Sequence, residues 1–89
     1  MTETVHNGWT LRFRSNVHMY CHELTATKGD HELQVSCEDM LSGGVGIWPY
    51  TLELDTATYT DLLVALRLWA ADLDSDYRLY VTRDEFETN

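Results

Sequence analysis

Apolar and polar residues alternate with a period of two along most of this chain, and one segment between Asp55 and Leu73 switches to helical spacing. Trp9, Leu11 and Phe13 alternate with Thr10, Arg12 and Arg14, as in a half-buried strand. Ser15-Asn16 reads as a turn, and a second strand is predicted from Val17 to Thr27. Lys28-Gly29-Asp30 is a hairpin signal, followed by HELQVSCE as the returning strand. A loop of Gly29 and Asp30 pairs Lys28 with His31, Ala26 with Leu33, Leu24 with Val35 and His22 with Cys37. This register puts Tyr20, His22, Leu24, Ala26, Leu33, Val35 and Cys37 on one face. Glu23, Thr25, Thr27, Glu32, Gln34, Ser36 and Glu38 take the other, and a slip of one residue would mix the sets.

Ser42-Gly43-Gly44-Val45-Gly46 reads as a flexible connection to a strand in which Trp48, Tyr50, Leu52 and Leu54 share a face. Pro49 lacks a backbone donor and calls for an edge or a bulge there. From Asp55, a good N-cap, a helix is predicted. Tyr59, Leu62, Leu63, Leu66, Trp69, Ala70 and Leu73 form its broad apolar face. After Asp74-Ser75-Asp76 the alternation of YRLYVTR predicts a last strand, and residues 84–89 an acidic, frayed tail. The expected fold is α+β: one domain, 1–89, with a mostly antiparallel sheet of about five strands and one α-helix packed on one face.

The helix carries a second apolar stripe, Val64, Leu68 and Ala71, opposite its broad face. A chain of 89 residues has little material to cover both sides, so the stripe points to contact with another protein. Charge narrows the partner. Fifteen acidic and six basic residues give a net charge of −9, which repels nucleic acid and anionic membranes and favours a basic protein surface. No apolar run has the roughly 20 residues of a membrane span. The start, MTETVHNGW, lacks the features of a signal peptide, and two cysteines fit a reducing compartment, so a cytoplasmic protein is expected.

Candidate chemistry is sparse. His18, Cys21, His22, His31 and Cys37 are residues that zinc would accept, yet on a strand His18 and His22 share a face while Cys21 points away. A metal site built on His18, His22 and Cys37 is therefore a remote alternative. HMYCH departs from C-x-x-C-H at its first position, and opposite faces argue against a Cys21–Cys37 disulfide. Asp72-Leu73-Asp74-Ser75-Asp76 opens like a calcium loop, but Tyr77 stands in place of the glycine and Arg83 in place of the bidentate glutamate. SGGVG lacks the Gly-Lys-Ser/Thr of a phosphate loop. No catalytic spacing is present, so neither an enzyme nor a cofactor is expected.

The expectation is a non-enzymatic, acidic protein that works by binding a basic, nucleic-acid-handling protein, as an inhibitor that mimics nucleic-acid charge would. The residues expected to bind are Asp72, Asp74, Asp76, Asp84, Glu85 and Glu87 for charge, with Val64 and Leu68 as apolar anchors. In general character, through size, acidity and absent catalytic motifs, the chain is similar to phage-encoded anti-CRISPR and anti-restriction inhibitors and to toxin-immunity proteins. The alternative is a homodimer assembled through Val64, Leu68 and Ala71.

Overall fold

The structure, a computed structural model, describes residues 2–41, 43–73 and 76–87, without the side chains of Asn16, His18, Phe86 and Glu87. Five strands run as an antiparallel meander: β1 (Thr2–His6), β2 (Trp9–His18), β3 (Cys21–Lys28), β4 (His31–Asp39) and β5 (Val45–Trp48). Helix α1 (Thr56–Ala71) then crosses back over one face, and β6 (Tyr77–Leu79) adds to β5 in parallel. The α+β class is as expected, but the curled sheet is mixed and has six strands, where a mostly antiparallel sheet of about five was predicted.

Two physical causes account for that difference. Asn7 and Gly8 both take positive φ, +51° and +79°, the conformation of a type I′ hairpin turn, and this turn pairs Thr2–His6 with β2 as an extra strand. At the other edge, a strand that follows a helical crossover returns in the direction of the strand before the helix, which makes β6 parallel to β5.

The central hairpin has the predicted register: Lys28 faces His31, Ala26 faces Leu33, Leu24 faces Val35 and His22 faces Cys37. Gly29 supplies its positive φ, +57°. The turn expected at Ser15-Asn16 is instead part of β2. Between the pairs Arg14–Glu23 and His18–Cys21, β2 advances four residues while β3 advances two, so a bulge absorbs the polar pair. The chain reverses later, at Met19-Tyr20, with Met19 at φ +50°. Tyr20, expected on the core face, is therefore an exposed turn residue.

The strand expected over residues 48–54 ends at Trp48. Pro49 opens a 3₁₀ turn, Pro49–Thr51, where its fixed φ and missing N–H are tolerated. Part of the glycine-rich connection is strand instead, with Val45 and Ile47 buried. Gly46 is needed there, because a Cβ would stand 2.4 Å from the Trp48 ring that lies over it.

Asp55 caps α1 as predicted, accepting the Thr58 N–H at 3.0 Å. Hydrogen bonding from the Thr58 side chain, and then from its N–H, holds the Asp55 carboxyl below its ordinary pKa. Leu62, Leu66, Trp69 and Ala70 meet Trp9, Leu11, Leu24, Ala26, Val35 and Ile47 in one apolar cluster between helix and sheet. The Tyr59 hydroxyl donates to the Val81 carbonyl at 2.6 Å, fixing the chain after β6. The last strand stops at Leu79, and residues 83–87 of the expected strand end and tail form a short helix, α2 (Arg83–Glu87). Thr82 Oγ1 accepts the Glu85 N–H at 3.2 Å, while the Glu85 carboxylate accepts the Val81 N–H at 2.9 Å. Among the described residues no helix is long and apolar enough to cross a membrane.

Candidate functional site

The up-and-down topology sorts the connections to two ends of the sheet. The Asn7-Gly8 and Gly29-Asp30 turns, the 3₁₀ turn, α2 and the start of α1 lie at one end. The Met19-Tyr20 turn, the β4–β5 connection, the end of α1 and the start of β6 lie at the other.

The first end is closed by its own side chains. Asp61 on α1 accepts from Trp9 Nε1 at 3.0 Å, from Lys28 Nζ at 2.5 Å and from Asn7 Nδ2 at 3.0 Å. Lys28 also lies 5.8 Å from the centre of the Trp9 ring. One carboxylate thus ties β2, β3 and the β1–β2 turn to the helix, and the Lys28 and Trp9 bonds hold its pKa below the ordinary 3.8.

The second end is left apolar and open. Met19 is 74% exposed and Tyr20 64%, with Val17, Leu41 and Tyr77 exposed as well. The Asp39 N–H donates to the Tyr20 carbonyl at 2.8 Å and so joins the β2–β3 turn to the end of β4. Beside it, between α1 and the β4–β5 connection, is an open cleft of about 560 Å³. Met40, Ala70, Ala71, Leu73 and Tyr77 line it, with Asp76 and Arg78 as its charged members. Asp39 and the exposed Asp72 are further carboxylates at this end; Asp39 meets His22 Nε2 at 2.7 Å and Asp72 lies 3.8 Å from His6. The last turn of α1 carries no basic residue, so the negative end of the helix dipole adds to the field of these carboxylates.

The residues expected to bind do not form one patch. Asp72 and Asp76 lie at the open end, Asp76 in the cleft and Asp72 on the β1 side, beside Thr2, Thr4 and His6. Asp84 and Glu85 sit on α2, which Tyr59 anchors near the start of α1, about 20 Å along the helix axis from Asp72. The Glu85 carboxylate also accepts the Val81 N–H. Asp74 and the Glu87 side chain lie outside the described residues. Val64 and Leu68 are exposed at 42% and 49%, while Ala71 ends their stripe at the cleft. On the far face of the sheet, a groove balances Arg12 and Arg14 against Glu23 and Glu32, so the excess negative charge is carried elsewhere.

Sequence reasoning missed Met19, Tyr20 and Leu41 because it assigned the first two to a strand and left the third outside every predicted element. The available signal was a run of large apolar residues with no room on the core face once the hairpin register was set.

His22 and Cys37 are cross-strand neighbours, as expected, and Cys21 faces the other way with its thiol 3.0 Å from Glu38. Both cysteines are free thiols. Burial pushes the Cys37 thiol up to about 12, with Asp39 and Glu38 adding to the effect, so it stays protonated at neutral pH. Among the described residues no group of three or more His, Cys, Asp or Glu side chains could hold a metal ion, and the His18 side chain lies outside them. What this end offers chemically is an apolar surface edged with carboxylates. Compared with protein-family models, with curated proteins and with solved structures, the chain matches none.

Proposed function

We propose that this chain is a non-enzymatic binding protein whose open end docks on a basic, partly apolar protein surface. The observation that carries the reading is the exposure of Met19, Tyr20, Leu41 and Tyr77 beside Asp39, Asp72 and Asp76. Tyrosine and methionine are the residue types that interfaces favour, because each buries a large area while adapting to a partner. The carboxylates speed association with a cationic surface and set its sign. A protein built to hold nucleic acid presents such a surface, so an antagonist of a nucleic-acid-handling protein suits both the net charge of −9 and the apolar end.

The experiment is capture of basic proteins on immobilised chain, comparing the native sequence with Tyr20→Ala and with Asp72→Lys/Asp76→Lys. The proposal expects both variants to lose the captured protein, and added salt to weaken native capture. Capture that both variants retain, at every salt concentration, would falsify it.

A further inference from the structure

The side of α1 turned away from the sheet carries an ordered pattern. Val64 points directly outward and is 42% exposed, and Leu68, one turn later, is 49% exposed. Ala71, next along the stripe, is exposed as well. Four residues separate the first pair and three the second, the d–a–d spacing of a helix that pairs with another helix.

Opposite charges flank this stripe. Counted at about 100° per residue from the line between Val64 and Leu68, Arg67 lies about 80° to one side and Asp72 about 60° to the other. The contacts within the chain agree. Asp72 sits 3.8 Å from His6, on the β1 side, whereas Arg67 shares its flank with Tyr59, which bonds to Val81 beyond β6. Asp72 caps the helix with an αR backbone and so continues its spacing, and its side chain is 75% exposed. Arg67 is exposed and takes part in no ion pair among the described residues. In the same lettering Arg67 holds a g position, and Asp72 the e position five residues on.

We propose that α1 pairs along this stripe with α1 of a second copy, the two helices parallel about a two-fold axis that runs along them. In a parallel pair each g flank faces the e flank of its mate. Arg67 of each copy then meets Asp72 of the other, and two ion pairs close over Val64, Leu68 and Ala71. Antiparallel pairing is disfavoured by the same charges, because it brings the two acidic flanks together and the two Arg67 side chains together. Asp61, at the preceding a position, adds little repulsion, since its carboxylate is turned to Trp9 and Asn7 and matched in charge by Lys28. The occupant is a second copy because one chain supplies both signs at the spacing a parallel pair requires. A basic surface would match Asp72 and repel Arg67. The helix is about 24 Å long, and a contact one helix wide is smaller than the roughly 800 Å² per partner of a stable interface, so the dimer is weak and reversible. The contact uses Asp72 but none of Met19, Tyr20, Leu41 and Asp76, and it does not depend on what the open end binds.

The test is the mass of the full chain by sedimentation or light scattering, up to about 1 mM protein. Salt at about 0.15 M confines the repulsion between two chains of charge −9 to about 8 Å. A dimer that grows with concentration is expected. Leu68→Asp and Arg67→Asp, each checked for native circular dichroism, should weaken it by about tenfold or more. Asp72→Arg should weaken it as well, although that change lowers the net charge. Arg67→Asp and Asp72→Arg in one chain should restore the native constant to within about threefold. A chain monomeric throughout overturns the proposal, and so does a dimer indifferent to Leu68→Asp. A dimer in which the exchanged pair is no better than the single variants overturns it too, since the parallel ion pairs are then absent. If the chain is monomeric and Leu68→Asp abolishes capture of another protein, a foreign surface covers the stripe, and the second-copy reading fails.

Discussion

The two ends of this sheet are built from the same kinds of connection and are finished in opposite ways. At one end, Gly and Asn turns leave space for Asp61 to gather Trp9, Lys28 and Asn7 onto the helix. At the other, Met19, Tyr20 and Leu41 project outward, while Asp72 and Asp76 replace the basic residues that would suit a helix C-terminus. The first arrangement consumes its polar groups internally. The second leaves Met19, Tyr20 and Leu41 turned outward beside carboxylates, two of which, Asp39 and Asp72, also meet His22 and His6. Internally satisfied polar groups and outward-turned apolar and charged groups are thus segregated along the strands.

The strongest way to break this comparison is by stability. Trp9→Ala, which removes a buried ring and a donor to Asp61, should cost about 3–5 kcal/mol and leave a domain of this size close to unfolded. Tyr20→Ala, at the exposed turn, should stay within about 0.5 kcal/mol of the native chain. Urea unfolding of the two variants measures both. If Tyr20→Ala is as damaging as Trp9→Ala, the open end is part of the core and the segregation is wrong. A second, smaller effect belongs to the open end alone. Asp72→Asn with Asp76→Asn should lower affinity for a captured basic partner by about tenfold and reduce the salt dependence of binding, with the unfolding midpoint unchanged.

Acid titration sharpens the other side. Asp61 has its pKa lowered by Lys28 and Trp9, so its contribution to stability is present above its ordinary value of 3.8 and is lost as pH falls through the depressed one. Native protein should therefore lose stability progressively on acidification. Asp61→Asn should start lower at neutral pH and show a shallower acid decline. Equal slopes for the two proteins, measured as unfolding midpoint against pH, would remove Asp61 from the clamp.

How much of this was legible in the sequence follows the range of each signal. Leu24, Ala26, Val35 and Cys37 fixed the central register, because period-two alternation and a Gly29-Asp30 loop are local. The α1 core face and its Asp55 cap were legible for the same reason. Asn7-Gly8 was an equally local hairpin signal, and reading it would have supplied β1. The β2 bulge was not legible, since a bulge is chosen by the partner strand and Ser15-Asn16 looks like a turn by itself. The candidate site was legible only in fragments. Net charge and the helix stripe are properties of composition and of one element. The meeting of the Met19-Tyr20 turn with the end of β4 depends on strand order, and so does the separation of Asp84 and Glu85 from Asp72.

The smallest effect is also the most local test of the difference between the ends. Cys21 and Cys37 lie near the open end, on opposite faces of the sheet. Cys21 is half-buried on the outer face, its thiol held protonated by the hydrogen bond to Glu38. Cys37 is buried under α1 with its pKa pushed up to about 12, so a thiol reagent reaches it only when the structure opens. Cys21 should react first, and Cys37 at a rate set by that opening. If the open end separates from the helix without global unfolding, Cys37 labelling will depend weakly on denaturant, and Asp61→Asn, acting at the far end, will hardly change it. If labelling instead tracks the global unfolding midpoint and accelerates in Asp61→Asn, the clamp at one end holds the other closed. The two ends would then differ in surface chemistry while sharing a single cooperative unit.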